Sequence, residues 1–229
     1  RFNGWYTACS TYGSFSYLKY GMMRLYSQLA QDCQLKVGKT IWVAGHSGPE
    51  TAEDSRTHFG VFEPGVAQLF PDGQVVDLVP WEHNEVPVLL AAALRQEPPI
   101  IVLHLTRPPV EIPDRAALGL GSHLEAARGA YILRDYRPQE PKQGCILVQG
   151  TMTTANLIRA LPAIDASGVN LKLVAVPSRY LFLRQPQEYQ DRTLTKGDRL
   201  NSTYITNMAR RCMHDWSLNP LADDWSLSA

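Results

Sequence analysis

Short apolar runs separated by polar, turn-rich stretches organise this chain. KTIWVAG (39–45), QVVDLVP (74–80) and PIIVLHL (99–105) lie in its first half, CILVQG (145–150) and LKLVAVP (171–177) in its second. Each is apolar at successive positions, as in parallel strands covered on both faces. Helical spacing fills the intervals. Ser10 and Thr11 as caps, followed by Tyr12, Phe15, Tyr17, Met22, Met23, Leu25 and Leu29, predict a helix over Ser10–Cys33. EHNEVPVLLAAALR (82–95) predicts a second, with Pro87 in the first turns where it is tolerated. TMTTANLIRALPAIDAS (151–167) predicts a third, stopped by Gly168. The alternation is that of an α/β protein, and residues 145–177 read as a βαβ unit with a right-handed crossover. RDYRPQEPKQG (134–144), polar and carrying two prolines, reads as a linker. The C-terminal stretch around Trp216 and Trp225 shows little periodicity, and neither repeats nor low-complexity segments occur.

Composition narrows the function classes. The 229 residues suffice for one large domain or two ordinary ones, and 45% hydrophobic content supplies a core. Lys plus Arg equals Asp plus Glu at 22 each with no basic cluster, which argues against nucleic acid or an anionic membrane surface as partner. The longest apolar run, Val88 to Leu94, is far short of the roughly 20 residues that span a bilayer, and no secretory signal pattern appears. The scattered cysteines Cys9, Cys33, Cys145 and Cys212 never form CxxC, which suits a reducing, cytoplasmic setting and buried thiols. A first residue of Arg1, and an ending in SLSA, lead to the expectation of a chain cut from, or processed out of, a longer polypeptide.

The densest chemistry is GHSGPETAEDSRTHF (45–59), at the carboxyl end of an expected strand. In open α/β sheets ligands bind beyond such ends, and Arg107 follows another. His46, Glu53, Asp54, His58 and Arg107 can therefore share a crevice. Imidazoles bind hydroxyls and move protons near neutral pH, carboxylates accept from hydroxyls, and guanidinium grips phosphate in a fork. That equipment suits a polar, phosphorylated polyhydroxy substrate. A solvated polar connection has the same composition, so spacing alone leaves both readings open. A metal site is disfavoured, because His46 and His58 are not at helical spacing and HExxH is absent.

STYGSFSYL (10–18), the G-H-S-x-x-x-x-A-E-D-x-x-T-H loop (45–58) and LTRP (105–108) resemble the pyrimidine-binding domain of transketolases. That family has S-T-F-x-x-F-x-x-[YF], then T-H-D-S-x-x-x-G-E-D-G-P-T-H, then a strand ending in S-R. LVQGTMTTANLIRALPAI and KLVAVPSRYLF resemble the family's C-terminal domain, so the likeness covers residues 7 to 195. It implies two three-layer α/β domains with mainly parallel sheets: residues 1–136 as the pyrimidine-binding domain, 137–229 as the C-terminal domain. It implies thiamine diphosphate as cofactor, with Tyr12 and Phe15 flanking its aminopyrimidine and Leu18 where the family has a third aromatic. His46 and His58 fall to the catalytic set, and Asp54 and Arg107 to the substrate-binding set, with Arg107 on the sugar phosphate. The implied activity is transfer of a two-carbon ketol unit between sugar phosphates by a homodimer; 1-deoxyxylulose 5-phosphate synthesis uses similar domains.

The departures are specific. Ser55-Arg56 replaces the family's Gly-Pro, which leaves substrate choice open. No G-D-G with a distant Asn is present, so Mg2+ (or Ca2+) and the diphosphate belong to a separate diphosphate-binding domain or subunit. The cofactor-activating glutamate falls upstream of Arg1. A non-catalytic binding or assembly subunit of a split enzyme is the alternative. Elsewhere, His83 and Glu85 read as an exposed helix opening, His104 as a satisfied core imidazole and His123 as part of a turn.

Overall fold

The computed structural model describes residues 5–12, 15, 18–33, 37–46, 67–106 and 109–228. The first half comprises β1 (Tyr6–Tyr12), α1 (Tyr20–Asp32), β2 (Lys39–His46), β3 (Val75–Leu78), α2 (Glu85–Arg95) and β4 (Ile100–Thr106). A 3-10 helix at His123–Arg128 leads to β5 (Tyr131–Arg134), β6 (Gly144–Gln149), α3 (Thr151–Arg159), α4 (Leu161–Ala166) and β7 (Leu171–Ala175). There follow α5 (Arg179–Leu183), α6 (Gln187–Thr193), α7 (Lys196–Leu200), β8 (Ser202–Thr206), a 3-10 helix at Arg210–Trp216, α8 (Ala222–Trp225) and β9 (Leu227–Ser228).

Two sheets result. The first is all parallel in the order β1-β2-β4-β3; the second runs β5-β7-β6-β8-β9 with only β5 antiparallel. Alternation along β4 shows why its apolar run is continuous. Ile101 and Leu103 enter the core shared with α2, while Ile100 and Val102 pack on the other face with Trp42 and Met23 of α1. In β7, Leu173 and Ala175 face that same shared core, and Val174 faces Phe182, Tyr189 and Trp216. The shared core joins Leu89 and Ala93 of α2 to Leu133, Leu157, Ile158 and Leu173 of the second sheet's layers. Burial of each such leucine contributes about 1.5–3 kcal/mol, so this one core holds both sheets together.

Several expectations are corrected. The predicted helix over 10–33 is a strand and then a shorter helix. Tyr6–Tyr12 pairs with Lys39–Gly45 residue for residue, and its aromatic and hydroxyl-bearing side chains suit an extended edge. The predicted linker at 134–144 overlaps β5, whose last residue is Arg134 and which pairs with β7. The 151–167 helix is broken at Ala160, because Pro162 has no N–H to continue the ladder. The aperiodic C-terminus contains β8, a central strand whose Ser202 and Thr206 are buried with hydroxyls used locally: Ser202 Oγ donates to the Arg199 carbonyl at 2.9 Å, and Thr206 Oγ1 accepts from Met208 N at 3.0 Å. Cys145 and Cys212 are buried as expected, but Cys9 is exposed on β1 and Cys33 half-buried.

Candidate functional site at the strand ends of the first sheet

β1, β2 and β4 finish in one row. Tyr12, the last residue of β1, lies opposite Gly45; Gly45 lies opposite Leu105, and His46 opposite Thr106. Glycine suits this row because a Cβ at position 45 would come within 3.2 Å of the Thr11 carbonyl oxygen. Three motif segments distant in sequence thus begin or end side by side, at the sheet edge where α/β proteins bind ligands.

Among the predicted cofactor-binding residues, Tyr12 and Phe15 meet edge to face, with ring centroids 6.3 Å apart and planes at 65°. Phe15 is exposed at 37%, so the pair presents an aromatic face at the surface. Leu18 does not extend that wall inward; it is exposed at 81%, ahead of α1. Lys19 ties the start of α1 back to β1, its Nζ 3.3 Å from Cys9 Sγ and 5.2 Å from the centre of the Trp42 ring. His46 is placed as the last residue of β2. Its side chain, together with Glu53, Asp54, His58 and Arg107, lies outside the described residues.

Other histidines and acids resolve differently. His104 is buried and pairs through Nε2 with Asp77 Oδ1 at 2.7 Å. Burial pushes its imidazole down to about 3 and the Asp77 carboxyl well above the usual carboxylate range, so the imidazole is neutral. His104 is therefore the satisfied core residue expected, but its partner is 27 residues away and is not signalled locally. Glu85 corrects the expectation of an exposed helix opening. It is fully buried, accepts from Trp81 N at 3.1 Å, Arg115 Nη2 at 3.0 Å and the Tyr131 hydroxyl, and its carboxyl is raised by burial in spite of them. His123 opens the 3-10 helix that follows the Gly119–Gly121 turn.

Among the described residues, no group of three or more His, Cys, Asp or Glu side chains could hold a metal ion. Also among the described residues, no helix is long and apolar enough to cross a membrane. Apolar surface is exposed elsewhere in the first half, where α1 turns Met22, Leu25 and Leu29 outward and the edge strand β1 leaves Tyr6 exposed.

No protein-family model matches the chain. In sequence it is similar to transketolase 1 of Pasteurella multocida, 27% identical over 163 residues that make up 68% of this chain and 23% of that protein. Among solved structures it is similar to Pichia stipitis transketolase in complex with sedoheptulose 7-phosphate, with TM-score 0.73, 20% identity, and coverage of 96% of this chain and 29% of that one. It is also similar to a split-gene transketolase described as an inactive beta4 tetramer, with TM-score 0.56, 16% identity, and coverage of 96% of this chain and 65% of that one. The chain thus spans about a quarter of the length of the curated relatives it matches. Over that span, its fold is that of the transketolase family, and its sequence is transketolase-like.

Proposed function

We propose that this chain supplies the pyrimidine-binding side and the C-terminal domain of a thiamine diphosphate-dependent enzyme that transfers a two-carbon ketol unit between sugar phosphates. The observation carrying the proposal is the in-register row of Tyr12, Gly45, His46, Leu105 and Thr106, which starts or ends all three motif segments at one sheet edge. The partly exposed Tyr12–Phe15 pair fits one face of an aminopyrimidine, so the described residues suit that half of the cofactor. Its diphosphate and metal half is assigned to a separate domain or subunit, because the sequence carries no G-D-G with a distant Asn. When bound, thiamine diphosphate supplies the carbanion that carries the ketol unit.

In this reading Tyr12 and Phe15 orient the ring, with Leu18 at the margin. His46 and Asp54 contact donor hydroxyls, the Asp54 carboxylate accepting from them, His58 holds a hydroxyl and moves its proton, and Arg107 forks onto the substrate phosphate. A diphosphate-binding domain or subunit completes the site, carrying Mg2+ or Ca2+, within a dimeric assembly. The outward apolar face of α1 and β1 supports such a partner, because an exposed patch of this kind marks an interaction surface. The split-gene neighbour, inactive as a beta4 tetramer, supports the same dependence.

The test is reconstitution. Mixed with a diphosphate-binding chain, thiamine diphosphate and Mg2+, the protein should convert xylulose 5-phosphate plus ribose 5-phosphate. Absence of turnover while the two chains demonstrably associate would leave the assembly-subunit reading in place of the enzymatic one. Turnover of pyruvate with glyceraldehyde 3-phosphate instead would assign 1-deoxyxylulose 5-phosphate synthesis.

A further inference from the structure

The helix α1 carries two apolar faces. Met23 packs with Trp42, Ile100 and Val102, and Tyr26 lies against them; with buried Ser27 they form the face laid on the first sheet. A second stripe runs about a third of the way round the helix. It consists of Leu18, in the turn just ahead of α1, then Met22, Leu25 and Leu29, all between 52% and 81% exposed. Steps of four, three and four residues are those of a coiled-coil seam, whose knobs need the holes of another helix. At these exposures no described element of the chain covers the stripe.

The ends of the helix select the occupant. α1 starts after Lys19 with no acidic residue in its first turn and no side-chain cap; it ends on Asp32 with no basic residue in its last turn. Both charges oppose the helix's own dipole. A second copy of α1 laid antiparallel corrects this, because its Asp32 then comes to the end where negative charge is favoured. The same arrangement sets Leu18 against Leu29 and Met22 against Leu25 across a two-fold axis. Every side chain of the stripe meets another of the stripe, so the contact is self-complementary. A parallel copy would bring Lys19 to Lys19 and Asp32 to Asp32, leaving both ends unrelieved.

We propose that the outward stripe of α1 is the contact between two copies of this chain, paired as antiparallel helices. The proposal deepens the dimeric reading above, on which its biological setting rests, by naming the surface and the direction of the pairing. It also divides the outward surface. The Tyr12–Phe15 pair precedes the stripe in sequence and is left for the diphosphate-binding partner.

One helix pair is a small interface, so the dimer should dissociate in the micromolar range. Sedimentation equilibrium of the chain alone should show that exchange. Leu25→Glu should weaken it at least tenfold, and Arg24→Gln, away from the stripe, should leave it unchanged. Both positions are exposed, so far-UV circular dichroism should stay native. Direction is read by crosslinking in a Cys9→Ser, Cys33→Ser background. Leu18→Cys combined with Leu29→Cys should give a covalent dimer on mild oxidation. Within one chain these positions are 11 residues and about 16 Å apart, too far for a disulfide. Each single variant should stay uncrosslinked, because the antiparallel axis holds identical residues equally far apart. The proposal is overturned by a monomer at about 100 μM, by a dimer that Leu25→Glu leaves intact, or by single variants that crosslink as readily as the double one. Should Leu25→Glu not fold, the crosslinking decides. None of these measurements uses turnover, so failure here is distinct from failure of the ketol-transfer reading.

Discussion

Replacing Arg115 with methionine tests the joint between the two sheets. The Arg115 Nη2 donates to Glu82 Oε1 at 2.7 Å and to Glu85 Oε1 at 3.0 Å; Nη1 donates to the Gly121 carbonyl at 2.9 Å and the Tyr131 hydroxyl at 3.0 Å. The guanidinium lies 4.5 Å from the centre of the Trp81 ring, and Trp81 Nε1 donates to the Tyr131 hydroxyl at 2.8 Å. Trp81, Glu82 and Glu85 lead into and open α2 on the first sheet, Tyr131 begins β5 of the second, and Arg115 lies in the connection. Methionine keeps much of the volume and removes the charge, leaving two fully buried carboxylate side chains without their cation. Breaking a buried pair this way costs about 3–5 kcal/mol. In a domain of this size each kcal/mol lowers Tm by about 2–4 °C, so the fall should be about 6–20 °C.

The pH dependence has a defined sign. Burial raises the Glu85 carboxyl above its ordinary 4.5 even with Arg115 in place, so the folded chain holds that proton more tightly than the unfolded one. Its contribution to stability is complete below 4.5 and declines as pH rises through the raised folded value. Without the guanidinium this decline steepens, so the deficit of Arg115→Met should be smaller at about pH 5 than at about pH 8. Thermal unfolding followed by circular dichroism at both pH values measures it. A loss of less than about 2 °C, or a deficit that grows on acidification, would refute the account of buried, charge-dependent joining.

Three further outcomes are expected. In the reconstituted enzyme, Arg107→Ala should raise KM for phosphorylated sugars with kcat nearly unchanged, for lost contacts of about 1.5–3 kcal/mol, whereas His58→Ala should lower kcat about 10²-fold or more. Steady-state kinetics with phosphorylated and plain donors separate the two, and equal effects on both would cancel the role assignment. Gly150→Ala should lower stability by about 1–3 kcal/mol or more in denaturant melts, since φ is 102° there and a Cβ would stand 1.9 Å from Asn207 Oδ1; an unchanged midpoint would contradict the strained turn. Alkylation followed by mass spectrometry should label exposed Cys9 in the folded chain, whereas Cys145, pushed up to about 12 by burial and then by the nearby Asp198 carboxylate, should react only on unfolding.

The parts of this fold legible in the sequence share a physical cause. β2, β4, β6 and β7 are covered on both faces, so their apolar runs are unbroken, and each is visible to within a residue or two. β1 is not, because an edge strand with exposed side chains is held through its backbone pairing with β2, which leaves no mark on residue pattern. β8 escapes for the opposite reason: it is buried, but Ser202 and Thr206 are satisfied by hydroxyl bonds that a count of apolar positions cannot register. At the strand-end row, the loop motif and the close approach at Gly45 make the location readable, whereas the adjacency of Tyr12 to Gly45 depends on a strand that the helical reading absorbs.

Buried charge is hidden in the same way. Glu85 looks in sequence like an ordinary acid at a helix start, and the dipole there would favour it on a solvated surface. Its burial is imposed by Arg115 and Tyr131, 30 and 46 residues downstream. Asp77 and His104 sit in two apolar runs whose periodicity gives no sign that they pair across adjacent strands. Gln149 ends a third such run, and its side-chain amide donates to the Val176 carbonyl, 27 residues downstream. Local periodicity measures how often the chain needs an apolar group on a given side. The polar residues that join the sheets are set by partners remote in sequence, so they become visible only once the strands are aligned, and it is at these positions that the chain carries chemistry its apolar pattern does not announce.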